Sequence, residues 1–372
     1  MRKIPHLIYS REKVMTAHQP RLFIPGPTEV FPEVLAQYSR PVISHRGPEI
    51  GEITRDVFDK LRILFRTEHE CYVALSAATG LMEGAVRNLV KKRLLSTVCG
   101  AFSARQHTVA NKCGIPVDAL EVPFGKHIEP AEIDKALSTG KYDVVTVVHS
   151  ETSTGTLNPI AEIGAVVKKY DDVLFVVDCV SSLGGAQLEV DAWGIDLAFA
   201  GTQKCIALSP GLTVFAVSPR AMERCASIEN RGHYFDFLNY RKMAKRGQCP
   251  ATTGISLLYG LQFQLGRIAT ETMEARWQRH LDMAKLVRGH LNERFRMFPE
   301  PEFATPTETV YYGDGLGIAA LISAVQERGM LFGNGYGPMK GENFRIGHMG
   351  DLQVSHLEHF LAVFDEELAK LK

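Results

Sequence analysis

The chain has 372 residues, enough for one large domain with a smaller companion rather than a single small core. Its 42 Lys and Arg balance its 42 Asp and Glu, and 45% of its residues are apolar, so nothing in its charge recruits nucleic acid or an acidic membrane surface. Residues 1–13 interrupt their apolar positions with charges and carry no signal-peptide core. The longest soft stretch, 316–325, is half of the roughly 20 apolar residues a membrane span requires. A soluble, cytoplasmic protein is expected. The seven cysteines (71, 99, 113, 179, 205, 225 and 249) form no Cys-x-x-Cys pair, which argues against a disulfide framework or a zinc site.

Short, continuous apolar runs recur at 72–75, 144–148, 173–177, 197–200 and 212–217, with helical segments between them. Unbroken rather than alternating apolar strands predict an α/β protein with a mostly parallel sheet sandwiched by helices. Ile160, Ile163, Val166 and Val167 place a helix over 160–170. It joins the strand ending near His149 to the strand ending at Asp178, a βαβ unit. Ligands of such sheets collect beyond the carboxyl ends of the strands, here 76–80, 149–155, 178–185 and 201–204.

After about residue 260 the pattern changes to a long helical stretch at 268–295, then weaker strands and a last helix. That helix shows an expected capping box of Ser355 and Glu358 and an apolar face of Leu357, Phe360, Leu361, Phe364, Leu368 and Leu371. The expected layout is an N-terminal arm over 1–20, a large domain over 21–269 and a small α+β domain over 270–372.

The chemistry gathers at strand ends. Asp178 closes an apolar strand and Lys204 follows another; alone, the first is equally a helix cap before Val180 and the second a loop residue. Together, an amine able to form a Schiff base and a carboxylate able to pair with a pyridine nitrogen are what pyridoxal phosphate needs. Small residues at Ala78, Thr79 and Gly80 open a helix whose positive end suits a phosphate, or make an ordinary cap. Phe102 is placed to stack on a planar ring or to fill core, and Thr152 to bond the cofactor's phenolic oxygen or to cap a turn. Arg345, in a strand flanked by glycines, suits a planar anion such as a substrate carboxylate, with a structural ion pair as the alternative. Residues 313–317 look like a dinucleotide loop but lack its strand and downstream acid, and are read as a turn.

In order along the chain, Pro25-Gly26-Pro27-Thr28, His45-Arg46, the turn 76–83, Glu151-Thr-Ser-Thr-Gly155, Asp178 with Ser181-Ser182, Gln203-Lys204 and Arg345-Ile-Gly-His-Met-Gly350 resemble class V of the pyridoxal-phosphate aminotransferases. The similarity is to the alanine:glyoxylate and serine:pyruvate group. It implies the fold type I architecture, pyridoxal 5'-phosphate as cofactor, Lys204 as its anchor and Asp178 at its pyridine nitrogen. It also implies Ala78, Thr79, Gly80 and Gln203 at the phosphate, Phe102 on the ring, Thr152 at the phenolic oxygen, and Gly26 and Arg345 at the substrate. Thr252 is implied to reach the phosphate of a partner subunit, so a homodimer is expected. The chain departs from relatives at Phe102, where many carry Trp, and at Cys249, where many carry Tyr. The implied reaction moves an amino group from a small donor, alanine or serine, to a 2-oxo acid, glyoxylate or pyruvate. Aspartate, 2-aminoethylphosphonate and pyridoxamine remain alternative donors, and a lyase the alternative reaction. A cysteine desulfurase is disfavoured because no cysteine follows Cys249.

Overall fold

The computed structural model describes residues 20–371, so all but the last residue of the expected N-terminal arm lies outside it. Its strands are β1 (Arg21–Phe23), β2 (Glu70–Leu75), β3 (Leu94–Val98), β4 (Val117–Glu121), β5 (Val144–Val148), β6 (Ser150–Glu151), β7 (Thr156–Leu157), β8 (Leu174–Asp178), β9 (Leu197–Gly201), β10 (Leu212–Val217), β11 (Glu308–Tyr312), β12 (Met330–Asn334) and β13 (Asn343–Gly347). Seven form one sheet in the order β2-β10-β9-β8-β5-β3-β4. Only β10 runs against its neighbours, so the other six share one direction and end on one edge. Strands β5, β8, β9 and β10 are buried from end to end, which is why their sequences are continuous apolar runs.

Helices open from that edge and cover the sheet. Ala78–Leu89 follows β2 and Ala101–Lys112 follows β3. The βαβ helix expected over 160–170 is Ile160–Val167, with Ile160, Ile163, Gly164 and Val167 inward. Gly164 is obligatory there, because a Cβ would sit 2.1 Å from the Trp193 carbonyl oxygen. Among the described residues no helix is long and apolar enough to cross a membrane.

A second core is built on a four-stranded sheet in the order β1-β12-β13-β11. Phe23, Tyr311, Phe332, Phe344, Phe360 and Phe364 fill it, the last five from the C-terminal part of the chain. Phe23 and Phe360 stack with ring centroids 4.5 Å apart. Strand β1 pairs in parallel with β12, Phe23 beside Phe332, so residues 21–23 join the small sheet rather than the large unit expected over 21–269. Helix Met273–Leu291 spans both cores: Met273 and Trp277 pack in the first, Met283, Val287 and Leu291 in the second. The last helix, Val354–Lys370, starts earlier than its expected capping box. Its N-cap is Gln353, whose N–H donates to His356 Nδ1 at 3.1 Å.

Between β1 and the first helices, residues 25–28 cross to the large sheet. The Thr28 N–H donates to the Gln203 carbonyl at 3.0 Å and its hydroxyl to the Lys204 carbonyl at 2.9 Å. The Pro-Gly-Pro-Thr segment is therefore a strap that ties the small sheet to the loop carrying Lys204.

Candidate active site

The carboxyl edge of the large sheet holds a cavity of about 180 Å³ whose lining includes Ala78, Thr79, Phe102, Thr152, Asp178 and Lys204. Strand β8 brings Asp178 to it. Oδ1 accepts the Val180 N–H at 2.9 Å, as a turn cap would, and Oδ2 has no hydrogen bond among the described residues. Burial pushes the carboxyl up to about 7. The Val180 N–H pulls it back, Glu151 raises it, and Lys204 and Arg105 lower it. Such a group favours a cationic partner on its free oxygen.

Lys204 follows β9, and its Nζ donates to the Pro25 carbonyl oxygen. Burial and the Arg345 charge lower the ammonium's pKa, opposed by Glu308, Cys205 and Asp178, with burial the largest effect. An amine held this way loses its proton more readily than a surface lysine. Gly26 gives it room. At φ +94° and with a Cβ position 2.5 Å from Lys204 Cδ, no other residue fits without moving the lysine. Gly26→Ala should cost roughly 100-fold in kcat with the circular dichroism spectrum unchanged, the scale expected from misplacing a reacting group by about 1 Å.

Arg345 on β13 enters from the small sheet. Its Nε donates to the Asn334 carbonyl at 2.7 Å and its Nη1 to the Thr152 carbonyl at 3.0 Å, which leaves Nη2 without a protein partner among the described residues. Thr152 itself lines the cavity. Beside it, Glu151 is fully used: it accepts from the Ser103 N–H at 2.8 Å, the Ser103 hydroxyl at 2.9 Å and the Ser153 hydroxyl at 2.6 Å. A carboxylate at the N-terminus of helix Ala101–Lys112 fixes the turn that presents Phe102. The Phe102 ring stacks on Tyr336 at 5.0 Å, and the Tyr336 hydroxyl accepts from Arg105 at 3.0 Å. Lys204 Nζ lies 5.9 Å from the Phe102 centroid.

This edge-of-sheet arrangement fits a family. The family model described as aminotransferase class V matches residues 22–305. The chain belongs to the class V aminotransferases. It is 36% identical to an uncharacterized aminotransferase of Methanocaldococcus jannaschii, over 88% of this chain and 87% of that one. It is 31% identical to a serine–glyoxylate aminotransferase of Methylorubrum extorquens, over 89% and 86%. A solved structure of an alanine–glyoxylate aminotransferase from Nostoc superimposes with a TM-score of 0.90 at 27% identity, covering 99% of this chain and 98% of that one. The protein is thus a pyridoxal-phosphate-dependent transaminase of fold type I.

The cavity's donor set suits that cofactor: an amine on one wall, a buried acid with a free oxygen at the end of β8, and a helix start with the Thr79 hydroxyl opposite. Of the residues singled out in the sequence, the structure brings Ala78, Thr79, Phe102, Thr152, Asp178, Gln203 and Lys204 to one cavity, with Gly26 against Lys204 and Arg345 against Thr152. Gly80 does not line the cavity; its N–H donates to the Ala77 carbonyl, and its missing Cβ accommodates the Phe235 ring, 2.5 Å from that position. Thr252 is exposed and lies outside the cavity of its own chain. Its loop is held by Arg46, which donates to the Cys249 carbonyl at 3.0 Å and to Gln248 Oε1 at 3.1 Å.

Two residues went unnoticed in the sequence, Tyr336 and the buried Glu308 on β11. The first lies within the glycine-rich segment before Arg345, where its aromatic ring was a signal; the second had none. A larger hollow of about 800 Å³, around Arg40, Lys60 and Arg267, shares no lining residue with this cavity.

Proposed function

We propose that this transaminase passes the amino group of a small donor, alanine or serine, to glyoxylate or pyruvate in a ping-pong cycle at the Lys204 cavity. The observation that carries the reading is that the Lys204 amine and the free oxygen of Asp178 line one cavity, with Arg345 held beside it on the Thr152 carbonyl, its Nη2 unpartnered among the described residues.

Bound here, pyridoxal phosphate supplies the carbonyl that takes the amino group and the ring that accepts the electron pair of the broken Cα–H bond. Lys204 would anchor it and hold the migrating proton at Nζ; its lowered pKa and the space Gly26 leaves beside it suit that task. Asp178 would keep the pyridine nitrogen protonated through its free oxygen. Thr79 and Gln203 would hold the phosphate at the start of helix Ala78–Leu89. Phe102, held by Glu151 and Tyr336, would cover the ring. Arg345, with two nitrogens locked on carbonyls, offers Nη2 to the substrate carboxylate without reorganising. Replacing it with Gln should raise KM for amino and oxo acids about 10- to 100-fold, the scale of a charge-assisted pair, and change kcat less. Steady-state kinetics with each substrate varied would check this.

A homodimer is part of the reading. Thr252 is exposed on this chain, and Val42, Leu75 and Tyr234 expose apolar surface, 74% of Val42 among it. The Tyr234 hydroxyl donates to the Leu75 carbonyl, just before the turn that reaches the cavity. A second copy docked over Tyr234 and Leu75 buries exposed apolar surface and carries its own Thr252 to the neighbouring phosphate site. A panel of donors against glyoxylate and pyruvate ranks alanine and serine against bulkier donors.

A further inference from the structure

Glu308 opens β11. Alternation along the strand turns Tyr311 into the small core beside Phe344 and Ile346, and turns Glu308 and Val310 the other way. Val310 pairs with Arg345 and Glu308 with Gly347, so Glu308 and Arg345 are diagonal neighbours on the face turned toward the large unit. On that face Val310 Cγ2 lies 2.7 Å from where a Gly155 Cβ would sit.

Glu308 is wholly buried, and neither carboxylate oxygen has a hydrogen-bond partner among the described residues. Arg345 does not supply one: its Nε and Nη1 donate to the Asn334 and Thr152 carbonyls, and its Nη2 makes no hydrogen bond to the acid. A permanent counter-ion of Arg345 would form N–H···O pairs with it, and this acid forms none. The hydroxyls nearby are occupied with each other: Ser150 with Thr305 at 2.8 Å, and Thr305 with Thr307 at 3.1 Å.

The surrounding charges pull in both directions. Burial opposes ionisation most; Arg345 from β13 and Lys204 from the loop after β9 favour it, and Glu151 from β6 opposes it, leaving the carboxyl at about 8. Arg288, on helix Met273–Leu291, donates to the Thr305 and Glu308 carbonyls. His280 on the same helix and His348 after β13 are kept neutral by burial. A substrate carboxylate arriving at Arg345 adds a second anion beside this acid, and two anions in one buried site hold a proton between them.

We propose that Glu308 is the second half of the substrate-carboxylate site: it takes a proton from solvent as a carboxylate docks on Arg345, and donates that O–H to the bound carboxylate. The proposal rests on the assignment of Arg345 above; where the free acid is ionised, above about pH 8, it makes each monocarboxylate enter with a proton.

Propionate, which has alanine's carboxylate and chain but no amine, is the probe. It is titrated calorimetrically into the cofactor-loaded protein in buffers of different ionisation enthalpy. Visible absorbance recorded in parallel counts any proton taken at the Lys204 linkage. At pH 9 the wild type should take up about one proton beyond that count, with Kd rising about tenfold per pH unit above about 8. Glu308→Gln keeps a donor but cannot titrate; it should take up no extra proton and bind about tenfold tighter than wild type at pH 9. A wild type with no uptake beyond the absorbance count overturns the proposal without any variant needing to fold, and so does a Glu308→Gln protein that keeps the uptake. Arg345→Gln separates the two assignments. If it binds propionate as tightly as wild type, the carboxylate site itself is wrong. If its binding weakens while uptake is independent of Glu308, only the role of Glu308 falls.

Discussion

Lys204→Ala protein should fold, and its transamination rate should fall by about 10⁴-fold or more, since on the proposed assignment the covalent anchor and the proton carrier go with one side chain. Folding survives because the lysine is no structural strut. Its only hydrogen bond among the described residues is to the Pro25 carbonyl, while the strap itself is held by Thr28 through backbone groups of residues 203 and 204 that alanine retains. Removing a partly desolvated ammonium relieves a burial cost as well. Circular dichroism establishes the fold, and single-turnover assays with alanine or serine measure the rate. A variant that keeps even one hundredth of the wild-type rate would show that Lys204 is not the anchor.

Asp178→Asn should separate chemistry from stability. On the proposed assignment, losing the carboxylate paired with the pyridine nitrogen should cost about 10²- to 10³-fold in kcat, the scale for one preorganised electrostatic group. The cofactor-free protein should respond in the opposite sense. Burial raises the Asp178 carboxyl from 3.8 to about 7, so between those values the folded chain holds a proton that the unfolded chain has released. The acid's contribution is therefore most favourable below about pH 4 and is lost progressively as pH rises through 7. Asparagine is neutral throughout, keeps an oxygen for the Val180 N–H, and removes that loss. Cofactor-free Asp178→Asn should melt several degrees above cofactor-free wild type at pH 8, with the gap closing toward pH 4. A melting temperature lower than wild type at pH 8 would mean that the carboxylate is a structural ion in this fold.

How far these residues could be read from the chain depends on what fixes each one. Asp178 and Lys204 sit at the ends of strands buried on both faces, and such strands announce themselves as unbroken apolar runs whose exits are known to face one edge. Arg345 was legible because a guanidinium in a glycine-flanked strand is out of place without an anion. Glu308 was not legible. Its strand lies about 100 residues beyond Lys204, and only the β11–β13 register decides that its carboxyl turns away from the small core. Gly80 was assigned to the phosphate by its neighbourhood, whereas what requires a glycine there is the Phe235 ring, more than 150 residues later. Strand β1 escaped for a related reason: three residues carry no period of their own, and its partner β12 comes from the other end of the chain. The cap of the last helix slipped by two residues because Ser355 and Glu358 satisfy the capping pattern inside a helix that Gln353 and His356 already start.

On the proposed cycle, the Lys204 cavity stores an amino group between two half-reactions. The direct measurement is a rapid-quench experiment on the cofactor-loaded protein with alanine or serine and no acceptor. A burst of about one oxo acid per subunit should appear and stop, with no free ammonia, and glyoxylate added afterwards should yield the same amount of glycine. Continuous oxo-acid production accompanied by ammonia, with no glycine formed when glyoxylate is added, would contradict the claim and make the protein a lyase.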